Sequence, residues 1–112
     1  MNTSDLNPLP EERRAFNLTQ YKYVPIASGC YVLANFQEAI LYIGQAVNLR
    51  NRFQQHLENP EKTKPTKEGK AFWFYFLKYD GDLNKLERTW LNQYEILHGK
   101  KPILNKISSP VV

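Results

Sequence analysis

Five residues of this chain carry side chains that exchange protons, hold anions or bind cations, and they follow one another in a fixed order. They are two tyrosines, an arginine, a histidine and a glutamate: Tyr31, Tyr42, Arg52, His56 and Glu87. A guanidinium clamps phosphate, a carboxylate binds hard cations, and phenols and imidazoles transfer protons. Cleavage of a phosphodiester needs these groups, so the sequence suggests such a site if the fold brings the five together.

Both tyrosines lie in strand-like runs that are neighbours along the chain. Residues 28–33 and 40–44 alternate with a period of two, and a short segment, 35–38, joins them. This pattern predicts the two antiparallel strands of a β-hairpin.

The arginine and the histidine lie in the amphipathic stretch that follows the hairpin. Leu49, Phe53 and Leu57 recur every fourth residue and predict a helix with one buried stripe. Arg52 and His56 are also four residues apart, so they share a neighbouring face of that helix.

The glutamate lies on a later helix. Residues 72–77 are apolar on both faces and predict a third, central strand. Asp82 is a suitable cap, and Gly99 a suitable end, for a helix from Leu83 to about His98. The expected apolar stripe of this helix is Leu83, Leu86, Trp90, Tyr94 and Leu97.

Glu87 lies within or at the edge of that stripe, where a carboxylate usually has a cation or a donor as its partner. Taken singly, each candidate residue more often has a packing or surface role. The order and spacing of the whole set therefore carry the argument.

The pattern as a whole predicts an α+β fold. It has a small three-stranded antiparallel sheet, made of the hairpin and the central aromatic strand, and helices flank the sheet. Residues 10–16 predict a further short helix with a proline at its start, and residues 58–70 predict a long polar loop.

Size and composition are those of a single intracellular domain. The chain has 112 residues, and Cys30 is its only cysteine, which excludes an intramolecular disulfide and a cysteine-based zinc site. Neither a secretory signal nor a membrane-spanning run is visible in the sequence. We therefore expect a cytoplasmic protein that has no membrane partner.

From about Pro25 to Lys106, the sequence resembles the GIY-YIG nuclease family. Residues 29–31, Gly-Cys-Tyr, resemble the first signature, with cysteine where isoleucine or valine is usual. Residues 42–44, Tyr-Ile-Gly, match the second signature. The elements occur in the family's order, which is more specific than either three-letter motif alone.

The resemblance implies a role for each matching residue. Arg52 takes the place of the catalytic arginine, and His56 that of the histidine or tyrosine one turn later. Residues 86–92 resemble the family's metal-binding helix, which makes Glu87 the ligand of a single Mg²⁺ or Mn²⁺. The closing motif of the family, Pro-Ile-Leu-Asn, ends at Asn105.

The resemblance also implies a general base among the tyrosines. Tyr31 is the first candidate to take the proton of the attacking water, and Tyr42 is the alternative or the positioning partner. Many relatives carry lysine or serine three residues after the second tyrosine, but this chain has Gln45. Gln45 brings no charge that would lower the pKa of a phenol, so Arg52, His56 and the metal have to supply that effect.

The net charge of +4 favours a polyanionic partner. We expect DNA, without distinguishing single-stranded, duplex and branched forms, and RNA stays open. The candidates for contact with it are Gln45, Arg50, Lys62, Lys64, Lys67 and Lys70, together with Lys100, Lys101 and Lys106.

The predicted organisation is an N-terminal extension, 1–24, followed by the nuclease domain, 25–112. No recognition module is attached in the sequence, which suggests weak sequence preference or a separate protein that supplies specificity. One alternative is a catalytically inactive module of the same fold that binds nucleic acid or protein. Another explains the aromatic residues as packing alone. The presence of all the expected side chains except a charge at Gln45 favours an enzyme.

Overall fold

The computed structural model describes residues 1–105, in which one antiparallel sheet has the strand order β1-β4-β2-β3. Its strands are β1 (Glu12–Ala15), β2 (Gly29–Ala34), β3 (Ile40–Ala46) and β4 (Trp73–Lys78). The α-helices within these residues are α1 (Leu49–Leu57), α2 (Pro60–Thr63) and α3 (Leu83–His98). Short 3₁₀ helices cover Thr3–Asp5, Leu18–Tyr23 and Ile103–Asn105.

The predicted α+β class is confirmed, but the sheet has four strands instead of three. The additional strand, β1, occupies the segment 10–16 that was predicted to be a helix. β4 needs a hydrogen-bonding partner along its outer edge, and β1 supplies one. The guanidinium of Arg13 also lies 4.0 Å from the ring centroid of Trp73, so tertiary contacts outweigh the local helical preference.

The other main elements are confirmed. The hairpin pairs β2 with β3, and the aromatic strand β4 is central because it lies between β1 and β2. The Asp82 side chain caps α3 by accepting a hydrogen bond from the Lys85 amide, and Gly99 ends the helix in the left-handed conformation, with φ 69°. The predicted apolar stripe of α3 is wrong at its last residue, because Leu97 is 66% exposed.

The segment 58–70, predicted to be a loop, contains the single-turn helix α2. Asn59 caps this turn, and Pro60 stands at its start, where a missing amide hydrogen costs nothing. The turn buries one of its own side chains, Lys62, of which only 5% is exposed.

The sheet has a packed core on each face. On one face, α1 covers a cluster that includes Tyr31, Tyr42 and Phe74. On the other face, α3 covers a cluster that includes Val32 and Trp90. β3 is an edge strand, so groups from both faces can meet around its outer side.

Residues 1–24 pack against the same core. Leu6 is 3% exposed, and the indole of Trp90 donates a hydrogen bond to the carbonyl of Pro8 at 2.8 Å. The domain limits 1–24 and 25–112 stay predictions, and the second range extends past the described residues. Within residues 1–105, no helix is both long and apolar enough to cross a lipid bilayer.

Candidate active site

The two signature motifs meet across the hairpin at Tyr31 and Gly44. These residues are register partners in the β2–β3 ladder. The phenol of Tyr31 lies over Gly44, so a Cβ atom at position 44 would be 2.6 Å from both Cζ and Oη of Tyr31. A glycine is therefore required at this position to leave room for the ring.

Two phenols and an imidazole form one buried cluster on the α1 face. The ring centroid of Tyr31 lies 6.0 Å from that of Tyr42 and 5.4 Å from that of His56, and those of Tyr42 and His56 are 5.3 Å apart. Oη of Tyr31 is 2.5 Å from Nε2 of His56, so the two groups are hydrogen-bonded. Three of the five predicted residues thus touch one another.

Burial controls the protonation of this cluster. It is the main cause that raises the pKa of Tyr31 well above 10, and the adjacent Tyr42 raises it further. Burial also lowers the pKa of His56 to about 3, with smaller contributions from the positive charges of Lys62 and Arg52. At neutral pH, Tyr31 therefore keeps its proton and His56 is uncharged.

Arg52 links this cluster to the outer strand. Its Nη1 donates to the backbone carbonyl of Gln45 at 3.3 Å. The charge of Arg52 and a hydrogen bond from it lower the pKa of Tyr31, although burial has the larger, opposite effect. The guanidinium is only partly buried, so it can also be approached from solvent.

Glu87 approaches the same strand from the opposite face of the sheet. It lies in the second turn of α3 and is half-buried. Burial raises its pKa, while a hydrogen bond with the side chain of Gln45 and the charges of Arg52 and Lys101 lower it. Glu87 and Arg52 therefore converge on Gln45 of β3, one from each face of the sheet.

The donor set fits a hard divalent cation with few protein ligands. Within residues 1–105, no group of three or more histidine, cysteine, aspartate or glutamate residues could form a complete cage. Glu87 offers carboxylate oxygens at the sheet edge, and Mg²⁺ commonly uses one or two carboxylates and keeps several waters.

Asn105 lies close to the site but is engaged with the backbone of β3. Its Oδ1 accepts from the amide of Ile43, and its Nδ2 donates to the carbonyl of Ile43, both at 2.9 Å. In the structure Asn105 therefore holds β3 in place, and its expected membership of the reacting groups stays a prediction.

Two of the expected nucleic-acid contacts have structural partners. Nε of Arg50 donates to the carbonyl of Val24 at 2.8 Å, and its Nη2 donates to the carbonyl of Lys22 at 3.0 Å. The side-chain amide of Gln45 donates to Oδ1 of Asn84 at 2.6 Å. Arg50 therefore joins α1 to the segment before the hairpin.

Lys62 differs most from the expectation, because it is buried. Its Nζ donates to the carbonyl of Leu104 at 3.1 Å and lies 4.2 Å from the ring centroid of Tyr42. The sequence did contain a signal for this arrangement: Asn59 followed by Pro60 is a helix start, and a helix turn there has one inward face.

The remaining candidate lysines are on the surface. Nζ of Lys64 is 2.9 Å from a carboxylate oxygen of Glu61, and that of Lys100 is 3.9 Å from one of Glu68. The exposed members of the set are Lys64, Lys67, Lys70, Lys100 and Lys101. Lys106 lies outside the described residues. Their contact with nucleic acid stays a prediction.

Comparison with known proteins finds similarity to one family. The profile of the GIY-YIG catalytic domain matches residues 27–101 of the chain. UvrABC system protein C of Mycoplasma genitalium is 35% identical over 83 residues. The match covers 70% of this chain but only 14% of that relative, so the chain corresponds to a small part of it.

Proposed function

The chain belongs to the GIY-YIG catalytic domain family, and on that premise we propose that it is a metal-dependent endonuclease that hydrolyses phosphodiester bonds in DNA. The observation that carries the proposal is the convergence of Arg52 and Glu87 on Gln45, next to the phenol pair. An inactive module would have no need to bring a carboxylate and a guanidinium together from opposite faces of a sheet.

Arg52 is the group that binds the scissile phosphate. Its guanidinium is planar and permanently charged, so it can hold two phosphate oxygens and stabilise the charge that grows on them during attack. Its contact with the carbonyl of Gln45 and its partial burial support this role, because they restrict where the guanidinium can lie.

Glu87 is the residue that would hold Mg²⁺ or Mn²⁺. When bound, such an ion supplies Lewis-acid stabilisation of phosphate oxygens and of the leaving oxygen. The half-buried carboxylate fits this role because the charges of Arg52 and Lys101 act against burial and favour its ionised form, which is the form that binds a cation.

Tyr42 is the better candidate for the phenol that takes the proton from the attacking water. Tyr31 has no exposed surface and a strongly raised pKa, whereas Tyr42 retains 6% exposure at the same cluster. Tyr42 has to be ionised before this transfer, and Tyr31 stabilises its phenolate oxygen by donating a hydrogen bond to it. Neutral His56 orients Tyr31 through the 2.5 Å contact.

The form of the substrate and the source of specificity are part of the proposal. The exposed lysines supply a basic surface without a base-reading element in the described part of the chain, which supports recognition of the DNA backbone. The relative is named as one protein of a system, and a separate specificity-providing protein is proposed here on that basis. RNA is the alternative substrate.

The decisive experiment measures cleavage of labelled single-stranded, duplex, nicked and branched oligonucleotides with Mg²⁺, Mn²⁺ or EDTA. We expect cleavage only with the metals and a loss of about 10²-fold or more in Glu87→Gln. Glu95→Gln, on the same helix, is the matched control and should cleave normally. Equal rates in Glu87→Gln and the wild type would refute the assignment, as would cleavage in EDTA.

A further inference from the structure

The residue that carries a further inference is Lys62, because its ammonium group is enclosed beside the catalytic phenols. Only 5% of the residue is exposed, and Nζ lies 4.2 Å from the ring centroid of Tyr42. A charged group is costly to bury, and a lysine on the rim of a nucleic-acid interface would normally extend into water.

We propose that Lys62 is a positioning residue for hydrolysis: its buried positive charge stabilises the phenolate of Tyr42, the ionised form that must exist before this group can take the proton of the attacking water. This role rests on the proposed nuclease function. It also accounts for Gln45, because the positive charge missing from that position is supplied from α2.

Two contacts of Lys62 stabilise its charged ammonium, although burial has the opposite and larger effect on its pKa. The carbonyl of Leu104 accepts a hydrogen bond from Nζ, and the face of the Tyr42 ring attracts a cation. Burial lowers the pKa of Lys62, and the carboxylate of Glu61 acts in the opposite direction. The charge of Lys62 reaches the cluster, since it also contributes to the lowered pKa of His56.

An opposite charge at about 4–6 Å favours the ionised form of a group by about one to three pH units. In addition to Lys62, the groups that act on the phenol cluster come from β2 and α1, and Glu61 acts through Lys62. They are Tyr31, Arg52, His56 and Glu61. Lys62 differs from these four groups because its ammonium lies over the face of the Tyr42 ring.

The test compares Lys62→Met, which keeps the length of the side chain but removes its charge, with Lys62→Arg, which keeps the charge. Lys78→Met, at an exposed position on β4, is the matched control. Single-turnover cleavage is measured from pH 6 to 10. We expect the rising limb of the pH–rate profile to move up by about one unit or more in Lys62→Met, so that activity recovers at high pH. In Lys62→Arg and Lys78→Met the rising limb should lie at the same pH as in the wild type.

A second readout does not depend on cleavage. In protein labelled with ¹³C at the tyrosine Cζ, the NMR signal that disappears in Tyr42→Phe reports the ionisation of Tyr42. The pH at the midpoint of this ionisation should be higher in Lys62→Met than in the wild type. If the wild type cleaves nothing but the midpoint moves, the nuclease proposal fails while the charge effect stands. An unmoved midpoint, or a cleavage profile that is lower at every pH without a shift, would overturn the role of Lys62.

Discussion

Tyr31 and Gly44 face each other across the hairpin so closely that a Cβ atom at position 44 would lie 2.6 Å from the phenolic oxygen. The ring of Tyr31, from the first signature, therefore occupies the space that a side chain at Gly44, in the second signature, would need. This contact explains in steric terms why the two motifs occur together, and it leads to a double-mutant test.

Gly44→Ala should destabilise the protein by about 1–3 kcal/mol, because the added methyl group overlaps a buried ring that has little room to move. Urea unfolding measures this change. In a Tyr31→Leu background the added methyl no longer meets the phenol, and the cost should fall by about 1 kcal/mol or more. Equal costs in the two backgrounds would mean that the ring and the glycine are independent.

Arg52→Ala should reduce cleavage by about 10²-fold or more, because the phosphate loses its charged clamp. Arg52→Lys should restore only part of the rate, since a single ammonium cannot make the two parallel hydrogen bonds of a guanidinium. Single-turnover rates at saturating metal give both values. Arg88→Ala, at an exposed position on α3, is the control, and an equal loss in that variant would contradict the assignment.

His56 should make the protein less stable in acid. Its folded-state pKa of about 3 lies below the ordinary value of 6.5, so the unfolded chain binds the proton more readily. The contribution of His56 to the free energy of unfolding is therefore fully present above pH 6.5. It is lost as pH falls towards 3, by at most about 1.4 kcal/mol per pH unit.

The contribution of His56 is the difference between the wild type and His56→Gln in urea unfolding from pH 7 to 4. The wild type should lose stability more steeply, and the control His98→Gln should follow the wild type. Parallel curves for His56→Gln and the wild type would exclude a buried neutral imidazole.

The exposed lysines should make binding depend on salt. If they contact duplex phosphates, log K should fall linearly with log salt concentration, with a slope of about −0.9 for each phosphate contacted. The double variant Lys67→Ala, Lys70→Ala should reduce the slope by up to about 2, and Lys78→Ala should not change it. Fluorescence anisotropy with Glu87→Gln protein measures this without cleavage, and a flat response would remove these lysines from the interface.

Sequence patterns were sufficient for the hairpin, α1 and α3, because each has a clear period and local end signals. Asp82 and Gly99, for example, mark both ends of α3 with their own conformational preferences. The expectation that Tyr31, Arg52 and Glu87 form one site was based on the order of the motifs, and their roles stay predictions.

The features that the sequence concealed depend on contacts between distant segments. β1 is a strand because β4 offers an unpaired edge, and nothing within 10–16 contains that information. In the sequence, Lys62 is indistinguishable from the neighbouring lysines. In the structure, it is buried because the helical turn α2 directs its side chain into the protein. The same holds for Asn105, whose partner, Ile43, is 62 residues away in sequence.

The pairing of Asn105 with Ile43 also protects the molecule from association with other chains. An exposed edge strand presents amides and carbonyls that can template the addition of a foreign strand. Asn105 saturates both groups of Ile43 on the outer side of β3, so a neighbouring molecule cannot extend the sheet there. The proposed catalytic centre can thus lie beside an edge strand without making that edge a nucleus for aggregation.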